Sequence, residues 1–521
     1  MKVYNILDKF FIYNDKYHFK YNYIFQNKNI IILLYQMLNN FNYISKFKKT
    51  NIDTYIFIIC NNLKKNIEHI STLLDIGKIP KKIFDDYSLK TSFEKNLYTD
   101  NYEILFIGVG KEHNCDNNYL YNIFGKIGKK IHNENKKILI NLVSDENIII
   151  KNQIISYILG FYEFTDFKTE KKINKINTFF YHSKKKFKKL IEKSIYEGLV
   201  QNELRSLINT PSNILNSSVY SKYIKKNIHD NIKIKILNES QLKKIGCNLI
   251  LGVNQGSKNK PLLVILEYKH NPLPNKTIAL IGKGVMFDSG GYNIKRGDFS
   301  DMKNDMTGSA IVYGLFKLLS QFNVEGHFIG LLPIVENMVD SNSIRPGDIL
   351  KAYNGKTVEI TDTDAEGRLI MADALAYSEN YKPYMCIDIA TLTGQAVSIF
   401  DGKSSVIMGN NNKYIQKMIK AGIENNEKIW ELPMWNEYVE LTKSNIADFK
   451  NYTYESKAGT IMAGAFLSNF IPKKTNWIHL DIAGVDNLKH QTNMRNYGAT
   501  GEILRSLFYF LENFNKETYE K

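Results

Sequence analysis

The segment Thr363-Asp364-Ala365-Glu366-Gly367-Arg368-Leu369, with Asp362 just before it, places three carboxylates on alternate residues at the mouth of a helical pattern over 367–381. Alternate side chains point the same way if the backbone is extended. Acids so close repel, and something positive must hold them, or some must keep a proton. Arg368 can balance one; divalent cations balance several. The plain alternative is a surface salt-bridge cluster. It fares worse because a second polar cluster, Gly282-Lys283-Gly284-Val285-Met286-Phe287-Asp288-Ser289-Gly290-Gly291, directly follows a strand-like run over 277–281. Its glycines allow tight turns, which would present Lys283 and Asp288 on a rigid exposed loop. Lys295 follows seven residues after Asp288, and Asp305 precedes a helical pattern over 307–321. Oxygen-rich ligands suit zinc, manganese, magnesium or cobalt, and shared carboxylates suit a two-metal site. There is no HExxH motif, and the Gly-Lys-Gly run lacks the phosphate-loop spacing.

Outward from these clusters, 262–268, 327–334, 385–389 and 477–482 also read as strands, with helical patterns between. Ligands of open α/β sheets bind beyond the carboxyl ends of the strands, where both clusters fall. Upstream, 55–59, 103–108 and 137–142 are strand-like and alternate with helical stretches, so a second α/β unit is expected there. It shows no catalytic constellation. The polar stretch 168–175 marks a boundary, and a helical pattern over 184–209 ends before Pro211. The expected fold is α/β, with two domains, each a mixed central sheet flanked by helices. Residues 1–180 form the first domain, 181–210 a linking helix and 211–521 the catalytic domain. A length of 521 residues fits two cores better than one.

The formal charge of +16 permits nucleic-acid or anionic-membrane partners. No aromatic residues alternate with the lysines in a binding pattern, so both partners are disfavoured. The run Lys184-Lys185-Lys186-Phe187-Lys188-Lys189 reads as the exposed start of the linking helix. Cys60, Cys115, Cys247 and Cys386 form no CxxC pair, which suits a reducing compartment and a cytoplasmic location. Residues 1–20 do not resemble a secretory signal, and the apolar run 30–38 is too short to span a bilayer.

These residues resemble the leucine aminopeptidase family of cytosol-aminopeptidase-type metallopeptidases, protozoan members among them. The resemblance covers the second domain. It runs through Arg205-Ser206-Leu207-Ile208-Asn209-Thr210-Pro211-Ser212-Asn213 and 282–295. Leu332-Pro333-Ile334-Val335-Glu336-Asn337-Met338, Arg345-Pro346-Gly347-Asp348 and the opening segment continue it. Ala390-Thr391-Leu392-Thr393-Gly394 and His479-Leu480-Asp481-Ile482-Ala483-Gly484 complete it. The first domain matches more loosely, at Gly108-Val109-Gly110-Lys111 and Leu159-Gly160-Phe161-Tyr162.

The resemblance implies two divalent ions per subunit, zinc first, with manganese, cobalt or magnesium at the exchangeable site. The exchangeable ion takes Asp288, the side chain and backbone of Asp364, and Glu366. The tighter one takes Lys283, Asp288, Asp305 and Glu366. Without the resemblance, Lys283 reads as a counter-charge. Lys295 is implied to stabilise the oxyanion, and Arg368 to hold a bicarbonate ion as general base, so no catalytic His is needed. His479 reads as a core residue. Met302, Thr391, Leu392, Gly394 and Ala483 are implied to line an apolar specificity pocket for Leu, Met or Phe. The implied assembly is a homohexamer acting on short peptides. Three departures stand out. Asp362 replaces a usual Asn and is assigned to substrate binding. A shortened stretch after Lys295 makes Asp301 a rival of Asp305. Asp486 falls where relatives carry an apolar pocket residue. The alternatives are a DNA-binding protein of the same fold, an inactive assembly subunit, and a Cys-Gly dipeptidase.

Overall fold

The computed structural model describes residues 41–44, 52–59, 70, 74, 93–99, 101–108, 117–131, 136–170 and 177–514. The run 30–38, the first 20 residues, Cys60, Cys115 and residues 109–111 lie outside the described residues.

The first sheet is built from β1 (Phe41–Ile44), β2 (Thr54–Ile59), β3 (Phe93–Tyr98), β4 (Glu103–Gly108), β5 (Lys137–Asn141) and β6 (Asn177–Tyr181), in the order β1-β6-β5-β2-β4-β3. Only the β3–β4 pair is antiparallel. Helices α1 (Asn117–Ile131) and α2 (Asn147–Phe161) bury Phe124, Ile127, Ile154 and Ile158 against it.

The long helix α3 (Lys188–Asn209) follows a 3-10 turn, Lys185–Phe187. Its lysines are exposed and Phe187 is buried. Along its length it changes cores: Ile191, Ile195 and Leu199 pack with the first sheet, and Leu204, Leu207 and Ile208 with the second. Arg205, fully buried, donates to the carbonyls of Leu159 on α2 (2.9 Å) and of Ala499 (2.8 Å), linking the helix that covers the first sheet to a residue of the second core.

The chain then forms β7 (Lys233–Leu237), β8 (Leu262–His270), β9 (Thr277–Gly282), β10 (Gly284–Asp288), helix α4 (Thr307–Gln321) and β11 (Gly326–Asn337). Next come β12 (Ile349–Lys351), β13 (Thr357–Glu359), α5 (Glu366–Tyr377), β14 (Met385–Ala390) and α6 (Gly394–Phe400). The last elements needed here are β15 (Ser405–Gly409), β16 (Ile429–Glu431), β17 (Phe449–Lys450) and β18 (Asn476–Asp481). The second sheet has nine strands in the order β16-β15-β18-β14-β9-β11-β8-β7, with β10 on β11. A small sheet, β12-β13-β17, stands beside it.

Strand β9 is buried throughout. Its side chains alternate between faces, so Ile278 and Leu280 join the core under α4, while Ala279 and Ile281 join the core under α5. A strand covered on both faces reads as a continuous apolar run. Strands β9, β10, β11, β14 and β18 are mutually parallel through their pairings. Their carboxyl ends therefore gather at one edge, carrying Gly282, Asp288, Asn337, Ala390 and Asp481. Among the described residues no helix is long and apolar enough to cross a membrane.

Candidate metal centre

Both clusters arrive at that edge. Asp288, Asp305 and Glu366 are buried, and each offers an oxygen within 4.8 Å of the others. Asp288 ends β10, Asp305 follows the 3-10 turn Ser300–Asn304, and Glu366 opens α5. Asp301 is exposed on that turn, so the structure brings Asp305, not its rival, to the cluster.

Lys283 and Asp288 do not sit on an exposed loop as the sequence suggested. Both are 2% exposed, because β10 pairs with β11 and draws the segment into the sheet. Lys283 Nζ lies 2.7 Å from Asp305 Oδ1 and 3.0 Å from Glu366 Oε1, and donates to the Thr391 carbonyl at 2.9 Å. Lys295 Nζ lies 2.7 Å from Asp288 Oδ2 and 2.5 Å from Asp364 Oδ1. The lysines thus balance the acids. Arg368, expected to balance one, instead donates Nη1 to the Asn451 carbonyl (2.9 Å), with its guanidinium 5.8 Å from the Tyr452 ring. Its buried Nε has no hydrogen-bond partner.

The acidic segment is not extended. The Asp364 N–H donates to Asp362 Oδ1 (2.8 Å), a local turn that swings Asp362 away from the other acids. Tyr454 Oη donates to Asp362 Oδ2 (3.3 Å). Thr363 locks the neighbouring loop, donating to the Gly290 carbonyl (2.7 Å) and receiving the Asn293 N–H (2.8 Å). Gly290 has φ +88°, a conformation that favours glycine.

Electrostatics follow from this crowding. Burial opposes the charges of Lys283 and Lys295, but the acids around them outweigh it and hold both above the usual lysine value. Burial pushes Asp305 well above the carboxylate range, with Glu366 and Asp288 adding to it against Lys283. Burial, then Asp288 and Glu366, lift Asp364 to about 7. Glu366 is also penalised by burial, yet Lys283 and Lys295 hold it below its ordinary value.

The remaining predicted residues lie around the cluster. Thr391 donates to Asp305 Oδ1 (2.9 Å). Asp481 Oδ1 accepts the N–H groups of Leu392 (3.1 Å) and Ala483 (3.2 Å), which brings those two segments together. Met302 is half-buried on the 3-10 turn, and Gly394 is the exposed first residue of α6. Asp486 is half-buried after β18, where burial and then Asp301 push its carboxyl to about 8. His479 is a core residue, fully buried with Nδ1 2.5 Å from Asp388 Oδ1.

Sequence reasoning missed the amides that join these pieces. Asn337 Nδ2 donates to Asp288 Oδ1 (2.9 Å) and to the Thr363 carbonyl (3.1 Å), coupling the two clusters. It stood inside a quoted run, but its role shows only in three dimensions.

The catalytic-domain model of the cytosol aminopeptidase family matches residues 202–508. The cytosol aminopeptidase of Buchnera aphidicola subsp. Acyrthosiphon pisum (strain APS) is 36% identical over 482 residues, covering 87% of this chain and 92% of the relative. The chain belongs to the cytosol aminopeptidase family. The probable cytosol aminopeptidase of Phytoplasma mali (strain AT) is 34% identical, covering 85% of this chain and 93% of the relative. In fold, the chain is similar to the bottromycin maturation enzyme BotP, at a TM-score of 0.78 and 22% identity over 89% of this chain and 100% of that one. A structure of BotP is a complex with Mn. Membership in the cytosol aminopeptidase family supports a metal-dependent aminopeptidase, a peptide hydrolase.

The residues fit divalent ions. Asp288, Asp305, Asp364 and Glu366 are four carboxylates against two ammonium groups, Lys283 and Lys295, a local balance of −2 when all are charged. Asp305 Oδ2 is buried without a hydrogen-bond partner. A buried carboxylate oxygen left unpaired is costly, and a cation removes that cost.

Proposed function

We propose that this chain removes N-terminal residues, Leu and other apolar residues first, from short peptides, by a hydrolysis that depends on two divalent ions. The observation that carries this reading is the buried group Asp288, Asp305 and Glu366, with Lys283 and Lys295 inserted among its oxygens. Lys283, Asp288, Asp305 and Glu366 would hold the tighter ion, and Asp288, Asp364 and Glu366 the exchangeable one. Ions held there, zinc or at the exchangeable site manganese, cobalt or magnesium, supply a water that ionises near neutral pH and a polarised scissile carbonyl.

The chain's own residues do the rest. Lys295, the more accessible lysine at 20% side-chain exposure, places an ammonium where an oxyanion develops. Lys283, at 3%, must shed its proton to act as a ligand, and cations beside it favour that loss. Arg368 keeps a buried donor free and would hold a bicarbonate ion there, which would supply the general base. Met302, Thr391, Leu392, Gly394 and Ala483 line the pocket for the N-terminal side chain, and Asp362 helps bind the substrate amine. Residues 1–180 serve assembly and regulation, 181–210 link, and 211–521 catalyse, within a cytoplasmic homohexamer.

The test is hydrolysis of a leucyl amide with and without added manganese or zinc, alongside Glu366→Ala and Lys295→Ala. Metal-stimulated activity lost in both variants is expected; activity surviving both sinks the reading. Light scattering of the purified chain checks the hexamer.

A further inference from the structure

One buried side chain holds the whole acidic segment from outside. Asn451 lies just past β17 and is fully buried. Its Oδ1 accepts the N–H groups of Thr361 (2.9 Å) and Asp362 (3.3 Å). Its Nδ2 donates to the carbonyls of Asp362 (2.6 Å) and Ala365 (3.3 Å). Its backbone N–H donates to the Glu359 carbonyl (3.0 Å), and its carbonyl accepts from Arg368 Nη1 (2.9 Å). Every polar atom of the residue is therefore spent on 359–368. A primary amide has donors and an acceptor on one short stem. Asp lacks the donors and Gln is a methylene longer. The grip fixes the turn that leads into α5, whose N-cap, Ala365, supplies no side-chain hydrogen bond of its own.

We infer that Asn451 is a positioning residue for the metal centre. It fixes Asp364, Glu366 and the Arg368 guanidinium relative to one another, so metal affinity and turnover depend on it although it belongs to neither cluster. This rests on the function proposed above. The two carbonyls that Asn451 holds, those of Asp362 and Ala365, belong to the peptide bonds leading to Thr363 and Glu366. Rotation of either peptide swings the carboxylates that follow. Tyr452 extends the grip, its carbonyl accepting from Thr361 Oγ1 at 2.7 Å.

The test compares Asn451→Asp and Asn451→Ser with Asn209→Ser. Asn209 is another buried amide, bridging Tyr162 Oη (3.2 Å) and the Ala499 N–H (2.9 Å) far along the chain from the acidic segment. Mn2+ affinity by calorimetry, Tm, and kcat and KM on the leucyl amide are measured for each. The Asn451 variants are expected to bind Mn2+ about 10–100-fold more weakly and to lose kcat by a similar factor, with KM shifting less than about threefold. Asn209→Ser is expected to lower Tm while leaving Mn2+ affinity and kcat within about twofold of wild type. Wild-type Mn2+ affinity and kcat in both Asn451 variants overturns the inference. So does an equal loss of Mn2+ affinity and kcat in Asn209→Ser at a comparable drop in Tm. Should one Asn451 variant fail to fold, the other decides. Mn2+ binding is read without substrate, so a wild type that binds Mn2+ but leaves the amide intact counts against the peptidase reading, and the Mn2+ affinities still decide the role of Asn451.

Discussion

Any side chain at Gly367 must push Lys283 aside: a Cβ there would lie 2.4 Å from Lys283 Cε and 2.6 Å from its Nζ. In an ordinary helix interior, Gly to Ala gains about 1 kcal/mol. Here the methyl displaces Lys283, and misplacement of a site group by ~1 Å can cost about 100-fold in rate. Gly367→Ala is expected to lower kcat/KM by about that factor while Tm changes little; steady-state kinetics beside a thermal melt checks both. Ion removal tests the same group of charges. Chelation is expected to lower Tm, and Mn2+ at about a hundredfold excess over its Kd to restore on the order of 2.7 kcal/mol of stability. A melt that ignores both chelator and Mn2+ would count against the ion site. At this scale the sequence was readable where spacing is local. The acids and lysines of 283–305 and 362–368 declared themselves by composition. The turn made by Asp362 was not readable, because a side chain that bonds its own backbone overrides simple alternation. Asn451 was not readable either, since Thr361 is 90 residues away.

Helices α3 and α4 meet over a buried ion pair. Glu203 Oε2 lies 2.5 Å from Lys317 Nζ, and Glu203 Oε1 accepts from Tyr223 (2.9 Å) and Tyr313 (2.8 Å). Removing one partner strands the other without water. Lys317→Met is therefore expected to cost about 3–5 kcal/mol, read from the midpoint and slope of guanidinium unfolding. At the same junction His229 bonds Ser320 Oγ (2.9 Å) and Tyr196 Oη (3.3 Å). Burial, and next Lys317, lower its pKa to about 4 from 6.5. The unfolded chain therefore takes the proton first as pH falls, and stability present above 6.5 is lost between 6.5 and about 4. His229→Gln is expected to flatten Tm against pH across that window. Elements of this kind were largely legible. Strands β4 and β9 and helix α4 fall within a residue of their sequence patterns, since buried strands read as short apolar runs and a buried helix as a longer one, each bounded by polar or glycine residues. The short strands β12, β13, β16 and β17 were not legible, because two or three residues hold no period.

At the scale of the whole molecule, two hydrophobic cores share one helix. Arg205 crosses between them and stacks 4.0 Å from the Tyr162 ring. Shared elements make domains unfold together. Calorimetry is expected to give one transition for the wild type and two for Arg205→Met, which leaves the Leu159 and Ala499 carbonyls unpaired. A single unchanged transition in the variant would show that Arg205 does not couple the two cores. The α/β class and the existence of two sheets were readable from alternating strand and helix patterns. The way α3 passes from one core to the other was not, because a helical pattern shows which residues are apolar and not which sheet each of them meets.

Strand β18 lies between β14 and β15, inside the second sheet, although it is the last of that sheet's strands along the chain. During synthesis the ribosome delivers every acid of the cluster more than a hundred residues before Asp481. Until β18 arrives, the sheet has a slot beside β14, and Asp481 is not there to draw the Leu392 and Ala483 segments together. A nascent chain thus carries its complete acidic cluster for more than a hundred further residues without the strand that frames it, and that frame closes only once residue 481 has left the exit tunnel.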